Sequence, residues 1–337
     1  MLPNEQDRIN SPFPPRNAHN TQRKELRRNS GAAACSVILM YALRLGLTFL
    51  TYFILSRTIG SAVIRNNYDA IYWAVSFAVF VVAFAVSGFV AARWVKIPAH
   101  VAVRLKPVKL SIVIPATFCC LGLTLAGGTL SMIISLILET TLSVKPTMPD
   151  LTTPTELIPF MMFFCAVVIA PSFFEEILFR GVIMQSLRRF GDMFALVMSS
   201  ILFCMAHGNL VQGPNTLILG FAIGFFVMRT GSLWTGIIIH FVNNMFAVFL
   251  DLAFTSIGSN TEMYGILNGI YFMVYIVGAI AGFIYLVTRH PGFFRLESSG
   301  GETSARKKSI WFFTTVFMIL LTIMTIVLTV MNFEVVA

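Results

Sequence analysis

Six polar side chains that could together hydrolyse an amide bond occur inside stretches of the chain that are otherwise strongly apolar. They are Glu175, Glu176, Arg180, His207, His240 and Asn244. A charge at the centre of a membrane helix costs about 2.5 kcal/mol or more, so such residues face the protein interior and mark sites. Carboxylate and imidazole groups can activate water, and imidazole and carboxamide N–H groups can stabilise the oxyanion of amide hydrolysis.

The first three of these residues divide into a structural pair and a free acid. Glu176 and Arg180 are four residues apart in the sequence, which places them on one face of a helix. We expect them to neutralise each other and fix the helix, because an unpaired buried charge is strongly destabilising. Glu175 points about 100° away around the same helix, which leaves its carboxylate for chemistry.

The remaining residues also occur at helical spacing. His240 and Asn244 share one face, as do Phe203 and His207. We expect Glu175 and His207 to hold and deprotonate a water molecule. We expect His240 and Asn244 to donate hydrogen bonds to the developing oxyanion. Core packing is the expected role of Phe203.

A bound metal is the alternative chemistry for the same residues. Glu175, His207 and His240 are all side chains that zinc can use as ligands. The chain has no His-Glu-x-x-His pattern, which is the usual signature of a zinc protease. The favoured prediction is a site that requires no cofactor, and the alternative is zinc or another divalent metal held by these three residues. A purely structural hydrogen-bonded knot is disfavoured by the similar membrane depth of the polar groups.

The composition indicates which elements must position these groups. The chain has 337 residues, of which 57% are hydrophobic and 12% are charged, and its mean hydropathy is +0.81. Several apolar runs reach the roughly 20 residues needed to cross the hydrocarbon core. We predict an all-α fold, a polytopic transmembrane helix bundle of about nine spans. The predicted spans are 34–56, 70–92, 110–138, 157–187, 193–207, 213–229, 234–252, 264–288 and 309–333.

The distribution of charge predicts the domain organisation and the orientation. Residues 1–33 are predicted to be a disordered basic cytoplasmic tail, and 34–333 a transmembrane domain with its catalytic core at about 157–252. Lys and Arg concentrate in alternate connections, which places the N-terminus in the cytoplasm. The net charge of +9 is therefore attributed to cytoplasmic segments, and no nucleic-acid partner is expected. The start of the chain lacks the pattern of a signal peptide.

Two local irregularities are predicted beside the site. Pro171 has no backbone N–H, so it leaves the carbonyl of Val167 free and favours a kink four residues before Glu175. Gly208-Asn209 indicates a break in the helix directly after His207, and irregular backbone at membrane depth is tolerated where it lines a cavity. Helical rise places the polar groups about 15–22 Å from the cytoplasmic helix ends, which predicts a common hydrated pocket.

Three patterns in this order resemble the motifs of the CAAX protease and bacteriocin-processing (CPBP or Abi) family of intramembrane endopeptidases. They are Glu175-Glu176-x-x-x-Arg180, Phe203-x-x-x-His207 and His240-x-x-x-Asn244. The resemblance covers about 157–252 and implies a helical membrane fold whose catalytic cavity opens to the cytoplasm. It implies the same water-activating pair and the same oxyanion donors. The family is commonly labelled metalloendopeptidase, whereas its type II CAAX prenyl endopeptidases are similar to a glutamate-dependent, metal-free design.

These observations predict an intramembrane endopeptidase that cuts a membrane-associated protein or peptide, in processing or in self-immunity. The expected partners are the lipid bilayer and a substrate that is either prenylated or a bacteriocin precursor. The expected location is the plasma membrane of a bacterium, with the cleavage site facing the cytoplasm. Two alternatives are a proton-coupled transporter that uses Glu175 and His207 as a relay, and a catalytically idle membrane immunity or scaffold protein.

Overall fold

The computed structural model describes residues 19–59, 61–147, 153–258, 260–295 and 303–335. The predicted all-α architecture is confirmed in these ranges. The helices are α1 (His19–Thr58), α2 (Ser61–Asn66), α3 (Tyr68–Val95), α4 (Ala99–Ala102), α5 (Leu110–Leu142), α6 (Leu157–Arg188), α7 (Asp192–Met205), α8 (Gly213–Thr230), α9 (Leu233–Ile257), α10 (Thr261–Arg289), α11 (Ala305–Phe313) and α12 (Val316–Met331). Two short strands, β1 (Val144–Pro146) and β2 (Phe333–Val335), pair antiparallel with Lys145 opposite Glu334.

Six of these helices are long and apolar enough to cross a membrane, and they are α1, α3, α5, α6, α9 and α10. Helices α11 and α12 add a seventh candidate if the pair, which is bent by 76°, counts as one span. Helices α7 and α8 coincide with the predicted spans 193–207 and 213–229, but they fall outside this set. The count of about nine spans and the cytoplasmic N-terminus therefore stay predictions.

The start of the first helix differs from the prediction. Residues 19–33 were expected to be disordered, and this is wrong because they form the first turns of α1. Asn29 Nδ2 donates to the carbonyl oxygen of Ser186 at 2.9 Å, and Ser30 Oγ donates to that of Phe312 at 2.5 Å. These polar residues are buried because they have partners in the protein interior, which a hydropathy pattern does not reveal. Residues 1–18 of the predicted tail lie outside the described residues.

Helix α6 carries the first motif and packs against α3, α7, α8 and α9. It contains π-helical turns at Cys165–Ile169 and Ile177–Met184, on either side of the Glu175-Glu176 pair. Such turns are rare and recur at functional sites. The carbonyl oxygen of Val167, which Pro171 deprives of its helical donor, accepts a hydrogen bond from Asn244 Nδ2 of α9 at 3.1 Å. The irregularity in α6 thus provides the acceptor for a hydrogen bond between α6 and α9.

Helices α5 and α10 approach each other closely at two glycines of α10. A Cβ atom on Gly282 would lie 2.5 Å from the carbonyl oxygen of Pro115, and one on Gly278 would collide with the ring of Phe118. The contact at Gly282 is with backbone, which cannot move aside as a side chain can. The spacing between α5 and α10 therefore depends on the absence of a side chain there.

We expect Gly282→Ala to lower the free energy of unfolding by about 1–3 kcal/mol, because the new methyl group forces α10 away from α5. The matched control is Gly265→Ala on the same helix, since nothing lies within 4 Å of the Cβ position there. The control should be neutral or stabilising by up to about 1 kcal/mol. Thermal unfolding of the purified proteins in detergent measures both. Equal melting temperatures for the two variants would contradict the close packing.

Candidate active site

The predicted site residues converge from three helices and one turn. Helix α6 supplies Glu175, Glu176 and Arg180, α7 supplies Phe203, the turn after α7 supplies His207, and α9 supplies His240 and Asn244. Five of them are buried, and His207 and Asn244 are half-buried. Groups that occupy distant positions in the sequence therefore share one interior region.

Glu176 is the centre of a buried polar network. Its Oε1 atom accepts a hydrogen bond from Arg180 Nη1 at 2.8 Å and another from His240 Nδ1 at 2.9 Å. Arg180 also donates through Nη2 to the carbonyl oxygen of Gly220 at 3.1 Å. The predicted ion pair within α6 is present. The contact with His240, which joins α6 to α9, was not predicted from the sequence.

Phe203 has a larger part in the site than core packing. The guanidinium carbon of Arg180 lies 4.3 Å from the centroid of the Phe203 ring, which is the geometry of a cation–π interaction. The same ring meets that of His207 edge-on at 4.8 Å between centroids, and that of His240 at 6.0 Å. Phe203 therefore contacts both imidazoles and the arginine that pairs with Glu176.

A glycine on α9 makes room for the network. A Cβ atom on Gly236 would lie 2.7 Å from Oε2 of Glu176 and 2.8 Å from a methyl group of Val227. Gly236 precedes His240 by four residues, so it occupies the same face of α9. Sequence reasoning missed this residue. The available signal was a glycine one turn before a motif histidine.

The hydrogen bonds of the two histidines place a proton on Nδ1 of each ring. His207 Nδ1 lies 2.8 Å from the carbonyl oxygen of Phe203, which can only accept, so Nδ1 carries the proton. The Nε2 atom of a neutral His207 is then a proton acceptor. His240 Nδ1 faces the carboxylate of Glu176, so it also carries a proton, and Nε2 can donate only when the ring is doubly protonated.

Glu175 lies beside this network, next to His240. Only 8% of the Glu175 surface is exposed, and the Oε2 atom of Glu175 lies 3.9 Å from His240 Nε2. That distance is too long for a direct hydrogen bond, and Oε2 accepts none from the residues the structure describes. Polar atoms at this separation are commonly bridged by water.

Donors from distant helices fix the turn that holds His207. The hydroxyl of Tyr41 in α1 donates to the carbonyl oxygen of Ala206 at 2.7 Å, and Asn332 Nδ2 after α12 donates to that of Gly208 at 3.4 Å. These bonds satisfy carbonyl groups in the turn that follows α7. Gly208 adopts a left-handed conformation with φ of 56°, so the predicted break after His207 is present.

The metal alternative, with Glu175, His207 and His240 as ligands, stays a prediction. Among the described ranges, from residue 19 to residue 335 with their gaps, no three His, Cys, Asp or Glu side chains form a group that could hold a metal ion. Both histidines hold a hydrogen bond at Nδ1, so Nε2 is the ring nitrogen of each that is left to bind a metal. Because the described side chains form no such group, no step of the chemistry passes through a metal.

We expect Glu176→Gln to lower the free energy of unfolding by about 3–5 kcal/mol, because it leaves the buried charge of Arg180 uncompensated. The matched control is Asp192→Asn, which removes a carboxylate from another i, i+4 pair with arginine, Arg188–Asp192. That pair is partly exposed, so the control should lose at most about 1 kcal/mol. Melting temperatures in detergent measure both losses. A loss for Glu176→Gln no larger than that of the control would show that the network is not stabilising.

Comparison with known proteins agrees with this geometry. Residues 157–246 match the family described as type II CAAX prenyl endopeptidase Rce1-like. No significant match was found among curated proteins or among solved structures. The matched segment contains all three motifs, from Glu175 to Asn244. The resemblance predicted from the motifs is confirmed, because residues 157–246 match the model of the Rce1-like family of type II CAAX prenyl endopeptidases.

Proposed function

We propose that this protein is an intramembrane endopeptidase of the CAAX type, which hydrolyses a peptide bond in a membrane-associated protein or peptide. The family match indicates a protease. The observation that carries the proposal is the position of Glu175 within the matched segment. Its buried Oε2 atom lies 3.9 Å from His240 Nε2 and accepts no hydrogen bond from the described residues.

Glu175 and His207 activate the attacking water in this proposal. The water donates one hydrogen bond to the Glu175 carboxylate and the other to His207 Nε2, the ring nitrogen that carries no proton when the ring is neutral. As the water oxygen forms a bond to the peptide carbonyl carbon, its proton passes to this pair. The same proton then moves to the leaving nitrogen as the C–N bond breaks, which returns both residues to their starting state.

His240 and Asn244 stabilise the oxyanion in this proposal. Nδ1 of His240 bonds the Glu176 carboxylate, and Nε2–H of the doubly protonated ring donates to the developing negative charge. One Nδ2 hydrogen of Asn244 bonds the carbonyl of Val167, and the second remains for the substrate. Helix α9 thus presents two donors one turn apart.

The substrate class and the location follow from the same proposal. A site enclosed by membrane-spanning helices admits a substrate that is itself attached to the bilayer, and a prenylated protein is the class that the family match supports. A bacteriocin precursor is the other substrate class predicted from the motifs. Bacterial plasma membrane, with cleavage on the cytoplasmic side, is the proposed location. Co-expression with one substrate of each class, followed by mass measurement of the shortened chain, distinguishes them.

We expect Glu175→Gln and His207→Ala each to lower the cleavage rate by about 10²–10⁴-fold, because each removes a group that accepts the proton of water. Glu262→Gln and His100→Ala are matched controls, since both residues are exposed and outside the matched segment. All four variants should keep the melting temperature of the unmodified protein to within a few degrees. Full cleavage activity in both Glu175→Gln and His207→Ala would end this proposal.

Metal removal provides an independent test of the water-activating chemistry. After thorough chelation of the purified protein, we expect the cleavage rate to stay unchanged, because Glu175 and His207 activate the water without a metal in this proposal. The rate is measured before chelation, after chelation and after addition of zinc. Loss of activity on chelation with recovery in zinc would favour the metal alternative.

A further inference from the structure

Asn243, which directly precedes the motif residue Asn244, belongs to a chain of hydrogen bonds across three helices. Thr124 Oγ1 of α5 donates to Asn243 Oδ1 at 2.9 Å, the shorter of its two acceptor contacts, the other being the carbonyl oxygen of Cys120 in α5 at 3.1 Å. Asn243 Nδ2 donates to Asn244 Oδ1 at 3.3 Å. Asn244 Nδ2 in turn donates to the carbonyl oxygen of Val167 in α6 at 3.1 Å. Both Thr124 and Asn243 lie outside the three motifs.

The Val167 end of this chain of hydrogen bonds fixes which group of each pair donates. The carbonyl of Val167 can only accept, so Asn244 must turn its NH₂ group toward α6. The Oδ1 atom of Asn244 then faces Asn243, which must present its own NH₂ group, and Asn243 Oδ1 is left facing the hydroxyl of Thr124. Pro171 makes the acceptor available, because it deprives Val167 of its helical donor.

We propose that Thr124 and Asn243 are positioning residues that keep the carboxamide of Asn244 in its donating orientation. This inference rests on the proposed function, in which a hydrogen on Asn244 Nδ2 stabilises the oxyanion. A carboxamide rotated by 180° would present its oxygen lone pairs to the negative charge instead. The chain of hydrogen bonds opposes that rotation. The rotated amide would place its oxygen against the carbonyl oxygen of Val167 and its NH₂ group against the NH₂ group of Asn243.

Thr124→Val tests the proposal, because valine keeps the size of threonine and removes the hydroxyl that begins the chain. Loss of one oxyanion donor lowers kcat by about 10²–10³-fold, so partial loss of its orientation should lower kcat about tenfold. KM should change less than twofold, because the donor acts on the transition state. Thr124→Ser restores the hydroxyl and should recover most of kcat.

Thr117→Val is the matched control on the same helix. The Thr117 hydroxyl is also buried, but it donates to the carbonyl oxygen of Val113 within α5. Removing this hydroxyl also replaces a threonine of α5 by valine, but it leaves the hydrogen bonds from Thr124 to Asn244 intact. The value of kcat should therefore be unchanged. Asn243→Leu removes the central link and should lower kcat at least as much as Thr124→Val. If that variant does not fold, the threonine series alone decides.

The outcomes separate this inference from the proposed function. Normal kcat in Thr124→Val, equal losses in the valine and serine variants, or a raised KM with normal kcat would each overturn the positioning role. If one of these results is found while the unmodified protein is active and Glu175→Gln is inactive, the proposed function still stands. Absence of cleavage by the unmodified protein, with prenylated and precursor substrates alike, would reject the proposed function and the positioning role together.

Discussion

The site depends on the fully buried carboxylate of Glu176 and the two donors that it holds. A charge in this interior is tolerated only with a close counter-charge and satisfied hydrogen bonds. Arg180 and His240 supply the counter-charge and two hydrogen bonds to Oε1, at 2.8 and 2.9 Å, whereas Oε2 accepts none from the described residues. Because the donors come from α6 and α9, the need to satisfy one carboxylate fixes how these helices meet. Gly236 permits the approach, since any larger residue would contact Glu176.

The network extends through Arg180 to two further helices. Its second guanidinium nitrogen bonds a backbone carbonyl of α8 at Gly220, and its guanidinium carbon lies 4.3 Å from the centroid of the Phe203 ring in α7. Phe203 then contacts the ring of His207, so this histidine is connected to the same arginine through one aromatic side chain. The second glutamate and the arginine of the first motif therefore organise the groups to which we assign the reaction.

Backbone irregularity serves the site in two places. Around Pro171, the free carbonyl of Val167 becomes the fixed acceptor for Asn244 and so sets the direction of a hydrogen-bond chain. After α7, the backbone carbonyls of Ala206 and Gly208 are bonded by Tyr41 and Asn332, which hold the turn that carries His207. In both places a backbone carbonyl, which is costly to leave unpaired inside a protein, accepts a hydrogen bond from a side chain that is distant in the sequence.

The sequence by itself determined the helical class, the motif residues, the Glu176–Arg180 pair, the free carbonyl of Val167 and the break after His207. Each of these depends on local hydropathy, on spacing by four residues, or on one proline or glycine, and such signals act within a single helix. The tertiary structure alone decided which groups meet across helices. Glu176 and His240 are 64 residues apart, and Thr124 and Asn243 are 119 residues apart. No periodicity encodes such pairs, because they arise only when the helices pack and buried polar atoms must find partners. The helical start of α1 at His19 has the same cause, since the polar residues there are buried only through contacts with distant parts of the chain.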